Sequence, residues 1–235
     1  MTTDRNTVLV PVVLAGLLLG TAACASSGGA GAPSDGGKPS FAKLKSTVQG
    51  LGADPSCPFG LDLAGALKAV GIERGVTPAD GTGGRPVRAE VVPSEEARPF
   101  PSGVTPTPAT ASVPARPETV QVWCSYTAGT TPVEIGVLAA PAERTAVNLA
   151  LPYIQQAGGL TTDQLVAAST DQPAPGTART TPGRGTVGIA RLPVADGGDL
   201  ALLVSQGTGT AAPDPALTGE PLRALAERLA AQLHV

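Results

Sequence analysis

The side chains able to do chemistry in this sequence are few: three cysteines, Cys24, Cys57 and Cys124, one histidine, His234, and scattered carboxylates. A thiol or hydroxyl nucleophile needs a base within hydrogen-bond reach. His234 is the penultimate residue, where a chain end is expected to fray into solvent, so neither a cysteine nor a serine triad is expected. One histidine and two separated cysteines do not make a zinc pattern. Asp196 and Asp199 flank Gly197 and Gly198, far fewer oxygens than a calcium loop supplies. Gly207-Thr208-Gly209 follows a β-rich run as a dinucleotide loop would, but Pro213 and Pro215 stand where the phosphate-binding helix should open. Acid–base work by paired carboxylates remains open through Asp62, Glu90 or Glu134, because spatial pairing is invisible in a sequence. No catalytic residue, metal or cofactor is assigned, and the chain reads as a non-enzyme.

The first residues carry an address. Arg5 is the one cationic side chain ahead of an apolar run from Val8 to Gly20, and Thr21-Ala22-Ala23-Cys24 follows. A charged start, a short apolar stretch and small residues at its end describe an export signal. The run falls short of the ~20 apolar residues that span a bilayer. Ahead of Cys24 the pattern resembles the lipobox of bacterial lipoproteins. That resemblance implies a signal peptide over 1–23 and acylation of Cys24, by chains such as palmitate, as the first mature residue. The protein would then be secreted and held on the extracytoplasmic face of the cell membrane. A single acyl chain binds only marginally, and two or more give a stable anchor. Residues 24–40 are nearly all small, polar or flexible and cannot bury enough surface to fold. They read as a lipidated tether.

Removing the signal takes away Asp4 and Arg5, so the mature chain keeps the formal net charge of −3. With no basic block, a nucleic-acid partner is not expected. Glycine and proline are abundant and aromatics rare, a bias of high-GC actinobacterial genomes. With Cys24 assigned to lipid, Cys57 and Cys124 form an even pair in a chain bound for an oxidising compartment, and a single disulfide is expected. The long loop it closes would contribute on the order of 4 kcal/mol through chain entropy.

The elements that must position these residues follow from periodicity. Phe41, Leu44, Val48 and Leu51 form one stripe of a short helix, and Leu63, Leu67 and Val70 another over 61–72. In residues 77–117, nine of forty-one are proline. Only 87–92 could form a strand there, at an edge, and the rest reads as a long exposed insertion. Val120, Val122, Cys124 and Tyr126 alternate with polar neighbours, so 119–128 predicts a strand paired through a turn with 133–140. The spacing of Val147, Leu151 and Ile154 predicts a helix over 141–156, kinked or ended by Pro152. The runs 186–194 and 199–206 enclose a Gly-containing turn and predict a second hairpin. Leucines 222, 225, 229 and 233 make the last segment an amphipathic helix, with Thr218 as its expected N-cap. The expected fold is α+β over 41–235: an antiparallel sheet built from two hairpins, with helices on one face and Cys57–Cys124 pinning helix to sheet.

This layout resembles a group of two-cysteine actinobacterial lipoproteins, through Asp54, Pro55 and Cys57 before a helix and Trp123-Cys124 on a strand. The resemblance implies ligand sensing or envelope partnership. The leading expectation is therefore an envelope lipoprotein, anchored to the membrane by its lipid, that binds a partner protein or a small hydrophobic or lipidic ligand. An apolar cleft lined from the Val147/Leu151 face would serve such a ligand. The alternative is a hydrolase acting on cell-wall polymer through paired carboxylates.

Overall fold

The computed structural model describes residues 38–52, 56–81, 84–100, 103, 112–209 and 212–234. Cys24, the signal, most of the tether, Asp54 and Pro55 lie outside the described residues. The domain takes up the chain at Pro39, whose carbonyl accepts the Ala195 N–H at 3.0 Å. Helix α1 (Phe41–Gln49) starts where the Ser40 hydroxyl accepts the Lys43 N–H, and it stops at Gly50. Helix α2 (Leu63–Ala69) is capped by Asp62, which accepts the Gly65 N–H.

Seven strands form one antiparallel sheet: β1 (Val76–Pro78), β2 (Val87–Val92), β3 (Thr119–Ala128), β4 (Thr131–Ala140), β5 (Ala178–Thr180), β6 (Val187–Leu192) and β7 (Asp199–Ser205). Its order is β1-β3-β4-β7-β6-β5, with β2 also on β3. The expected hairpins are β3–β4 and β6–β7, joined through β4 and β7 at the centre. The fold is α+β, with the single disulfide Cys57–Cys124 tying the segment before α2 to β3 at a Cα–Cα distance of 5.7 Å.

Helices cover both faces of the sheet, not one. On the first, Val122, Cys124, Ile135, Leu200, Leu202 and Val204 pack with α1, α2 and α6 (Glu220–Gln232). On the second, Leu138, Val187, Ile189, Ala201 and Leu203 meet α3 (Ala146–Leu149), α4 (Leu151–Gly158) and α5 (Thr162–Thr170). Strand β7 is consequently buried at every position, which its nearly uninterrupted apolar run reflects.

Four local differences from expectation have physical causes. The helix expected over 141–156 begins only at Ala146, whose N–H donates to Asp199 Oδ2 of β7 at 2.8 Å. It breaks at Ala150, and Pro152 sits in the first turn of α4, where its missing N–H costs no hydrogen bond. Gly219 (φ 63°), not Thr218, caps α6, while the Thr218 hydroxyl donates back to the Asp214 carbonyl. The C-terminal end is docked rather than frayed: Leu233 is buried, and the His234 N–H donates to the Phe59 carbonyl at 3.1 Å. Its imidazole remains exposed. The described flanks of the proline-rich stretch are not free loop, because the bridges Glu95↔Arg116 and Arg98↔Val113 continue the β2–β3 register outward.

Candidate functional site

The second face of the sheet is covered over only part of its width. One row of cross-strand neighbours runs Ile189, Leu203, Gly136, Trp123, Arg88. Its first three residues are buried, Trp123 is half-buried and Arg88 is exposed. The row thus passes from under the helices into solvent, and Trp123 stands at the boundary. There α3 and α4 leave a cleft of about 330 Å³ between themselves and β2, β3 and β4. Trp123 and Tyr153 are its aromatic walls, and Arg85, Arg88 and Glu134 are its charged lining residues.

The indole is held from two sides. A Cβ at Gly136 would lie 2.7 Å from Trp123 Cζ3 and 3.0 Å from Cη2, so only glycine at that position lets the ring lie across β4. The Tyr153 ring meets it at a centroid distance of 4.5 Å and a tilt of 52°, within the range of favourable aromatic pairs. Trp123 Nε1 is buried without a hydrogen-bond partner among the described residues.

Tyr153 is held in turn by a chain of hydrogen bonds. Its hydroxyl donates to Glu134 Oε2 at 2.5 Å and meets the Ser205 hydroxyl on its other side. Ser205 Oγ accepts the Gly207 N–H at 3.1 Å. Because the phenol proton goes to Glu134, Ser205 acts as donor to the phenol oxygen. Burial, and then the Glu134 carboxylate, push the Tyr153 pKa well above the usual phenol range. Register aligns the residues that face one another: Ser125, Glu134 and Ser205 are successive partners across β3, β4 and β7. Gly81 packs on this row, where a Cβ would lie 2.0 Å from Ser125 Oγ.

Two other polar clusters brace the fold. Arg191 and Asp199 form a buried pair, with Nη2 and Nε both on Oδ1 at 2.6 and 2.9 Å. Arg191 also donates to the Pro173 carbonyl, so the pair ties β6, β7, the start of α3 and the loop after α5 together. Asp214 accepts from Arg74 and from the Thr131 hydroxyl, and the Arg74 guanidinium holds its carboxyl well below the usual carboxylate range. A second cleft of about 350 Å³ lies beside Asp214 and includes Gly207 and Gly209. The strand before those glycines leads into a short 3-10 turn, Pro215–Leu217, not a phosphate-binding helix.

The structure separates most of the residues singled out in the sequence. Cys57 and Cys124 are bridged on the first face, away from the cleft. Asp62 caps α2 on that same side, and Glu90 is exposed beside Arg88 at 3.9 Å. Glu134 alone of the three candidate carboxylates lines the cleft. Val147 is fully buried in the core, and the cleft is lined by Leu149, Ala150, Pro152 and Tyr153 of the same segment. The lining combines these apolar residues with polar, charged and aromatic ones, so it is not the purely apolar cleft expected.

Tyr153 was missed as a site residue. Its only sequence signal is an aromatic in a chain with two tyrosines and one tryptophan. Among the described residues no group of three or more His, Cys, Asp or Glu could hold a metal ion, and no helix is long and apolar enough to cross a membrane. Comparison of the chain with protein-family models, with curated proteins and with solved structures finds no match.

Proposed function

We propose that this chain is a secreted lipoprotein, anchored through Cys24 to the outer face of a bacterial cell membrane, whose α+β domain binds a small ligand without transforming it. The address rests on the Thr21-Ala22-Ala23-Cys24 pattern and the small-residue tether behind it. The binding role rests on one observation: the cleft beside Trp123, whose aromatic walls are fixed by Gly136 and by the Ser205–Tyr153–Glu134 chain. Walls that are already ordered lower the entropy cost of capturing a ligand. Known pockets begin near 300 Å³, so a cleft of this size suits a compact, single-ring ligand better than an acyl chain. The hydrolase reading has less support, because it needs two carboxylates near one bond and Glu134 is the one carboxylate among the lining residues.

Trp123 is the only tryptophan, so intrinsic fluorescence reports on the cleft without labelling. In the full chain, fractionated small molecules from cell envelopes are expected to shift its emission in a saturable way. Failure of every fraction to do so would remove the binding role. Substituting Cys24→Ala should move the protein from the detergent phase to the aqueous phase. Unchanged partition would remove the lipid anchor.

A further inference from the structure

We infer that the cleft selects ligands that combine a flat ring with an acidic group, the ring lying along Trp123 and the anion facing Arg85 and Arg88. This inference rests on the binding role proposed above and adds the charge of the ligand to it.

The two ends of the cleft differ in kind. At the inner end, beneath α4, the polar groups are engaged with one another. Glu134 receives the Tyr153 hydroxyl, and Tyr153 in turn receives Ser205. The Glu134 carboxylate at that end therefore already accepts a short hydrogen bond from within the protein. At the outer end stand two guanidiniums. Arg88 is the cross-strand partner of Trp123 itself, and Arg85 precedes Pro86, whose carbonyl receives the Ser125 N–H at 2.8 Å. Arg88 is paired directly with β3, the Arg85 carbonyl accepts the Gly81 N–H at 3.1 Å, and both arginines are exposed. The lining charges are two cations against one anion.

Arg88 faces Glu90 only at 3.9 Å, with each side chain 48% exposed. Such a pair is weak in solvent and yields readily to a closer oxyanion. A guanidinium offers a planar fork of donors that matches a carboxylate or phosphate edge. The Trp123 face supplies a stacking surface whose position is set by Gly136 and Tyr153. Ring recognition inside and anion recognition at the mouth are thus one residue pair apart on neighbouring strands.

Three probes with one phenyl ring and similar length separate the terms: phenylacetate, 2-phenylethanol and phenethylamine, which are anionic, neutral and cationic at neutral pH. With a single tryptophan, the nitrogen-15-labelled full chain gives one indole N–H resonance, and its shift on titration yields each affinity. Phenylacetate is expected to bind about tenfold more tightly than 2-phenylethanol, since a charge-assisted hydrogen bond carries that much. The preference should shrink as salt is added. In the double variant Arg85→Ser/Arg88→Ser, two exposed positions whose change leaves the core intact, phenylacetate and 2-phenylethanol should bind alike. Equal or tighter binding of phenethylamine in the unaltered chain would overturn the charge assignment and leave the binding role standing. No movement of the resonance with any of the three would overturn both.

Discussion

The two faces of the sheet are built from the same strands and finished in different ways. The first is sealed along its length by α1, α2 and α6, and the disulfide staples the segment before α2 onto it. Gly188 of β6 lets α6 approach so closely that a Cβ there would sit 2.9 Å from the Leu222 carbonyl oxygen. The second face is closed by α3, α4 and α5 only over β4, β7 and β6, with one buried ion pair as its brace. Beyond β4 it turns polar and aromatic and opens into the cleft. Apolar packing stabilises the covered part of each face, and on the second the buried pair also ties the strands to the start of α3 and the loop after α5. The open part of the second face is left with side chains that need not bury themselves completely.

That contrast can be broken at several points, and the largest effect is expected at the brace. Asp199→Ala leaves Arg191 charged and buried without its partner and the Ala146 N–H without its acceptor. Losing one member of a buried pair costs about 3–5 kcal/mol, which urea unfolding would measure. A cost below about 1 kcal/mol would mean that the second face does not depend on this pair.

Next in size is the staple. Replacing both Cys57 and Cys124 with serine should lower stability by about 2–4 kcal/mol, while Trp123 emission in the folded protein stays unchanged, because the bridge lies on the opposite face. An altered emission spectrum would show that the two faces are coupled.

A smaller effect is expected at the cleft wall. Gly136→Ala must displace the end of the Trp123 ring, an overpacking cost of about 1 kcal/mol, at the low end because a half-exposed ring can move. The emission maximum should shift to the red as the indole gains water. No shift would mean that Gly136 does not set the position of the ring.

The smallest effect is a pH dependence. Burial raises the pKa of both tyrosines, Tyr126 and Tyr153, aided by Asp62 and Glu134 respectively. A phenol whose folded pKa lies above its unfolded value keeps its proton when the unfolded chain has lost it. Its contribution is complete below pH ~10 and lost as pH rises beyond that. Absorbance at 295 nm should therefore stay flat through pH 10 in the folded protein and rise only with unfolding. Since the chain has two tyrosines, ordinary titration near pH 10 by even one of them would be plainly visible.

How much of this was legible in the sequence varied with the kind of signal. Strand β3 alternates, and the β6–β7 turn carries Gly197 and Gly198, so both hairpins could be placed from local pattern. Helix α5 carries a local signal too, since Thr161 and Gln164 form a capping box with the spacing that marks a helix start, but it has no strong apolar stripe to accompany it. The second layer of helices has its own sequence signal in DLALLVS, the run of β7 that does not alternate and so must be covered on both faces. Strands β1 and β5 have three residues each and no period to detect, because pairing with β3 and β6 creates them. The pairing beyond β2 was hidden by prolines, which lower strand propensity without preventing two isolated bridges.

The sequence by itself determined the hairpins and the amphipathic stripe of α6, because periodicity and turn chemistry are local properties; it pointed to Cys57 with Cys124 only through the expectation that Cys24 carries lipid, and the structure shows that bridge. Tertiary structure alone decided the cleft. Trp123 and Tyr153 are thirty residues apart, and their rings meet only because α4 packs across β4 and Gly136 leaves room beneath the indole. Asp62 is excluded from that site by the face it occupies, and Glu90, on the same face as Arg88, by its place on the outer strand β2 beyond the cleft lining, which leaves Glu134 as the carboxylate there. That follows from register and from which helices cover which face, neither of which is encoded at the residue itself.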